Sequence, residues 1–122
     1  MWRKALVKMN HEQKCAVDEK RETHSRLRLN GNCYHDVMVF IIKFPPEDLE
    51  DDLEVIHGTT SVNGKTIQHA WVRMHSCVWE LHSRKYFDAT KFEKNFLIDA
   101  EYSGTQAMRN LFQTKQCGPW DD

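Results

Sequence analysis

The chain has 122 residues, 40% of them hydrophobic, with 17 Lys and Arg against 18 Asp and Glu, for a formal charge of −1. That length predicts one domain able to bury a modest core without disulfides. The balanced charge argues against nucleic-acid binding, which shows a basic surplus. No apolar run reaches the roughly 18 residues of a membrane span. The start, Trp2-Arg3-Lys4 followed by KMNHEQK, lacks a hydrophobic signal core. The expectation is a soluble, cytoplasmic protein.

Residues 1–28 form an N-terminal extension. Trp2, Ala5, Leu6 and Met9 fall at helical spacing, which predicts a helix over about residues 2–20. A single domain follows over 29–122. Asn30, Gly31 and Asn32 mark a turn, and either asparagine can cap a helix. The apolar stretch Tyr34–Phe44 then reads as that helix, stopped by Pro45 and Pro46, although its β-branched content also allows a strand. Cys33 falls in its first turn, where unpaired backbone N–H groups and the positive end of the helix dipole favour a thiolate and offer donors to an oxyanion. The acidic PPEDLEDDL reads as a solvated loop or short surface helix.

LEVIHGTT (53–60) reads as a strand and Asn63-Gly64 as the centre of a tight turn. The next two runs, 66–74 and 77–83, read as a hairpin, which makes at least a three-stranded antiparallel meander. Along the first run Ile67, His69, Trp71 and Arg73 share one face, and Gln68, Ala70 and Val72 share the other. The connection at Met74–Cys77 has no Asn-Gly or Asp-Gly, so two registers compete. Pairing Met74 with Cys77 puts Glu80 diagonal to His69 and His82 opposite it. Pairing Arg73 with Ser76 puts Glu80 opposite His69. Either way the imidazole and the carboxylate share a face as neighbours, and a slip of one residue separates them. Downstream, Tyr86, Phe87, Phe92 and Phe96 read as core aromatics. Leu97–Tyr102 reads as a further strand. Ser103 caps a helix over Gly104–Thr114 that turns Ala107, Met108, Leu111 and Phe112 inward.

A cysteine at a helix start, then a histidine and a carboxylate on adjacent strands, is the order of a thiol–imidazole–carboxylate site. The imidazole takes the thiol's proton, and the carboxylate orients the imidazole. Trp71 is a candidate wall of the cleft, and Asn32 and Gln68 are candidate oxyanion donors. The segments Asn32-Cys33-Tyr34, His57-Gly58, His69-Ala70-Trp71-Val72, Val78-Trp79-Glu80 and Gly118-Pro119-Trp120 resemble those of small phage-type proteins in the papain-like superfamily, in its transglutaminase-like branch. The resemblance implies Cys33 as nucleophile, His69 as base and Glu80 as orienting acid, where the group usually has Asp. It also places Arg73 where an acidic residue is common, which would change the charge of the cleft. The implied fold is α+β, an antiparallel sheet packed against the cysteine-bearing helix and a C-terminal helix. The implied chemistry is hydrolysis or transamidation of an amide in a peptide or small molecule, in the host cytoplasm if phage-encoded, with no cofactor.

Other readings use the same residues. His57, His75 and His82 compete with His69 for the role of base. The four cysteines, at 15, 33, 77 and 117, lack CxxC spacing and read as free thiols, the last two and Cys15 as buried small apolar residues. A zinc site from His69, Cys77 and His82 with His57 or Cys33 uses accepted ligand types. It suffers from His69 and Cys77 pointing to opposite faces. A non-catalytic protein-interaction module on the same fold, such as a viral or host-defence factor, is the third reading.

Overall fold

The computed structural model describes residues 32–81 and 85–120. The helix expected over residues 2–20, Cys15 and His82 lie outside them. Helix α1 runs over Cys33–Ile41, and the Asn32 side chain accepts the His35 N–H at 3.2 Å to close its open end. It stops earlier than Phe44 because the residue before a proline is pushed out of the helical region. Residues 42–44 form a tighter turn instead, with Lys43 and Phe44 donating to the carbonyls of Phe40 and Ile41. Pro46 then opens a new helix, α2 (Pro46–Asp51), where its missing N–H costs nothing. The acidic stretch is therefore a short surface helix, anchored by buried Leu49.

Strands β1 (Leu53–Val62) and β2 (Lys65–Met74) form a hairpin. Asn63 and Gly64 have φ of 51° and 78°, the pair of positive values that a type I′ turn requires. Strand β3 (Cys77–Glu80) pairs with β2 in the Met74–Cys77 register. His75 supplies the positive φ, 53°, that the unassigned turn needs. Strand β4 (Lys85–Asp88) returns along β3, and Asp88 caps a short helix, α3 (Ala89–Glu93). Strand β5 (Leu97–Ser103) pairs with β1, and Ser103 caps α4 (Gly104–Thr114). The antiparallel sheet has the order β4-β3-β2-β1-β5. The expected α+β class is met, and no helix of the described residues is long and apolar enough to cross a membrane.

Alternation divides the core between the sheet's two faces. On one face Val55, Ala70, Val72, Met74 and Trp79 meet Val37, Met38, Phe40 and Ile41 of α1, with Leu49 and Ala107. On the other, Ile56, Trp71 and Val78 meet Phe87, Ala89 and Phe92. Phe112 is not on the inner face of α4 but 71% exposed. At 100° per residue it lies about a quarter-turn beyond the arc shared by Gly104, Ala107 and Leu111.

Two side chains bind α3 to the second face. The Trp71 indole N–H donates to Glu93 Oε2 at 3.0 Å. Arg73 meets Glu93 at 2.8 Å, Glu101 at 2.9 Å and Glu54 at 3.2 Å. These carboxylates hold the Arg73 guanidinium above its ordinary pKa despite partial burial. Its charge is thus engaged in joining β1, β2, β5 and α3 rather than setting the potential of a cleft. Gly58 lies under the Trp71 ring, where an added Cβ would stand 2.5 Å from the indole and 3.2 Å from the Leu97 carbonyl oxygen. Gly58→Ala is expected to cost roughly 1 to 3 kcal/mol, an overpacking penalty measurable by urea unfolding.

Candidate active site

Cys33 is the first residue of α1, and α1 packs on the face of β2 that carries Ala70 and Val72. His69 points to the opposite face. The two meet around the edge of β2. Strand β3 pairs only with Val72–Met74, and its Glu80 already pairs with Lys85, so the chain has turned back before it could cover Ala70. The Cys33 sulfur occupies that uncovered edge. It bonds the His69 ring and accepts the backbone N–H groups of Ala70 and Tyr34. On the far side of the ring, His69 Nε2 stands 3.4 Å from Glu80 Oε1, with the two side chains 13% and 3% exposed. That is the long end of hydrogen-bond range, and both the bond and the charge of Glu80 act on the ring. The contact leaves Nδ1 as the nitrogen available to the sulfur. Phe96 stacks on the His69 ring with centroids 6.0 Å apart and fixes the ring plane.

The electrostatics are those of an ion pair. Burial works against a charged sulfur, but the hydrogen bond and charge of His69, with the two N–H donors, outweigh it and bring Cys33 below its ordinary pKa. Burial also opposes a charged His69, but the bonds and charges of Cys33 and Glu80 raise it to about 9. These shifts favour a thiolate beside an imidazolium, with the Glu80 carboxyl group next to the ring. Burial moves Cys77 and Cys117 the other way, upward, and the charge of Asp88 adds to the shift at Cys77. Cys33 alone among the described cysteines is therefore poised to react.

Neither family models, curated proteins nor solved structures match this chain. The roles of its residues rest on geometry and chemistry.

The structure brings together Cys33, His69 and Glu80, and it places the candidate substrate-binding residues differently from one another. Trp71 is fully buried beneath Phe92 and Phe96, so it supports the site from inside and touches no solvent. Asn32 adjoins Cys33, and its side-chain oxygen accepts the His35 N–H to cap α1. The Gln68 side chain is exposed on the face opposite His69. The backbone N–H groups of Ala70 and Tyr34, which no side-chain pattern reveals, are the donors that reach the sulfur.

Of the rival histidines, His75 serves a turn, and His57 is 3% exposed in a nest of rings. Tyr34, Tyr102 and Trp120 lie 4.8, 5.3 and 5.3 Å from its centroid. Burial lowers its pKa to about 4, against a smaller upward pull from Asp99, so it is neutral and poorly suited to accept a proton. Gly118, with φ of 110°, closes over this ring, where a Cβ would sit 3.0 Å from His57 Cε1. The zinc arrangement is not assembled. Cys77 is buried on the α1 face and His69 lies on the other, and no group of three or more potential ligands forms among the described residues.

Proposed function

We propose that this protein is a thiol-dependent acyl-transfer enzyme with a papain-like, transglutaminase-like core, acting on an amide of a peptide or small molecule. The observation that carries this reading is the bond between the Cys33 sulfur and the His69 ring, with Glu80 behind the ring. The thiolate attacks the amide carbon, and the carbonyl π pair moves onto oxygen. The N–H groups of Ala70 and Tyr34, released as charge leaves the sulfur, are the donors nearest that oxyanion. As the carbonyl re-forms and the C–N bond breaks, imidazolium gives its proton to the departing nitrogen. The thioester is then resolved by water or an amine, which gives its proton to His69 as it attacks, and the thiolate leaves. Glu80 holds the ring and stabilises its charged form. These groups account for every proton and electron pair, so the reaction calls on no cofactor. The resemblance to phage-type proteins suggests the host cytoplasm as the place of action.

The test is selective alkylation followed by mass spectrometry of each cysteine-containing peptide. At about pH 6 an ordinary thiol is only about 0.3% ionised. Iodoacetamide is expected to modify Cys33 well before Cys77 and Cys117. Equal labelling of these thiols would remove the basis for an enzyme and favour a non-catalytic interaction module.

A further inference from the structure

Strand β2 extends past β3 by several residues. With its type I′ turn at Asn63-Gly64, the β1–β2 hairpin closes on Val62 and Lys65, which exchange backbone hydrogen bonds. Bonded and non-bonded pairs alternate along such a ladder. Ile67, His69 and Trp71 therefore bond to β1, while Thr66, Gln68, Ala70 and Val72 turn their N–H and C=O groups toward the opposite edge. The Ala70 N–H, which reaches the Cys33 sulfur on that edge, fixes the same phase independently. The groups of Gln68 and Thr66 then lie in the same row, leading directly away from the sulfur. Residues 65–68 are exposed, and no strand of the described residues pairs with them on that side. The segment Thr66-Ile67-Gln68 also carries no proline or charge, the usual guards of an exposed edge.

We infer that this open edge is a docking rail for an extended peptide, which pairs antiparallel to β2 as β3 does further along and presents a backbone carbonyl to Cys33. Gln68 and Thr66 supply the pairing groups, and the paired residues lie on the C-terminal side of the bond attacked. Recognition through the backbone makes the substrate class an extended polypeptide of relaxed side-chain preference. The inference rests on the acyl-transfer reading and deepens it.

The experiment compares iodoacetamide with N-iodoacetyl-tetraalanine amide, which carries the same reactive group at the head of a peptide. Both alkylation rates at Cys33 are normalised to their rates with glutathione. The peptide reagent is expected to gain roughly tenfold, about what two or three net hydrogen bonds supply. Two further reagents, N-methylated at alternate peptide nitrogens in complementary patterns, should diverge, because only every second residue faces β2. One should keep the gain and the other lose it. Gln68→Pro, which deletes an edge N–H outside the β1 ladder, should abolish the gain when each rate is referred to that variant's own iodoacetamide rate, whereas Gln68→Ala should keep it. No gain, equal effects of both methylation patterns, or a gain that survives Gln68→Pro would each overturn the docking rail. So would a gain confined to tetraalanine chloromethyl ketone, which bears its reactive group at the other end, or sedimentation showing the edge occupied by a second copy of the chain. Failure of iodoacetamide itself to single out Cys33 would instead sink the underlying acyl-transfer reading.

Discussion

His69→Ala is expected to slow alkylation of Cys33 at about pH 6 by on the order of tenfold, a net of two opposing effects. In the wild type His69 and the two backbone donors favour the ionised sulfur. Without the ring the thiol returns toward ordinary values, where roughly 0.3% is ionised at that pH, so the reactive species is depleted. The thiolate that does form is more basic and intrinsically more nucleophilic, which restores part of the rate. Near pH 9 and above the difference should vanish or reverse, because the mutant thiol is then ionised unaided and His69, with a pKa of about 9, is losing its proton in the wild type. The wild-type rate should therefore climb less steeply across the neutral range than that of the mutant, whose thiol lacks the lowering influence of the ring. A mutant with wild-type rate and profile would show that the imidazole does nothing for the sulfur. Acyl transfer should suffer more than alkylation, by roughly 10² to 10⁴, because alkylation needs only the nucleophile whereas amide cleavage also needs a proton for the leaving nitrogen.

The shared face of His69 and Glu80 is legible because its constraints are local. A period of two puts His69 and Glu80 on one face in both plausible registers, and the observed Met74–Cys77 register is one of these. Asn32 announces the start of α1 and hence the setting of Cys33. What sequence reading missed lies in long-range packing. Trp71 reads from the sequence as a cleft wall because nothing local shows that α3 and Phe96 cover its face. A weak cue was present: Asp88 followed by ATKFE is a helix cap, hidden inside a run read only as aromatic core. The pairing of β5 with β1 and the nest of Tyr34, Tyr102 and Trp120 around His57 join residues up to about ninety positions apart, and no spacing rule reaches that far. The meeting of Cys33 with His69 around a strand edge was likewise invisible. Face alternation alone puts them on opposite sides of the sheet, and only the early return of the chain at Glu80 and Lys85 opens the way between them.

That nest gives the second large expectation, a dependence of stability on pH. His57 titrates near 4 in the folded protein because the surrounding rings exclude water from its charged form, against about 6.5 in an unfolded chain. The sign follows from which state takes up the proton. Between those two values the unfolded chain binds it and the folded protein does not, so acidification favours unfolding. Above about 6.5 both states are neutral and the term is constant; below about 4 both are protonated and it is constant again, at lower stability. The difference of about 2.5 units corresponds to about 3 kcal/mol, a large share of a small domain's stability. Urea unfolding of the wild type should show this loss as pH falls from about 7 to about 4, on top of whatever the carboxylates contribute. His57→Phe keeps a ring in the nest and removes the titration, so its loss over the same range should be smaller by about that amount. Parallel pH dependences in the two proteins would mean that His57 is protonated as readily in the fold as outside it. The consequence for the site is direct. Tyr34 touches His57 with one side of its ring and follows Cys33 in the chain, so forcing a charge into the nest loosens the start of the helix that carries the thiolate.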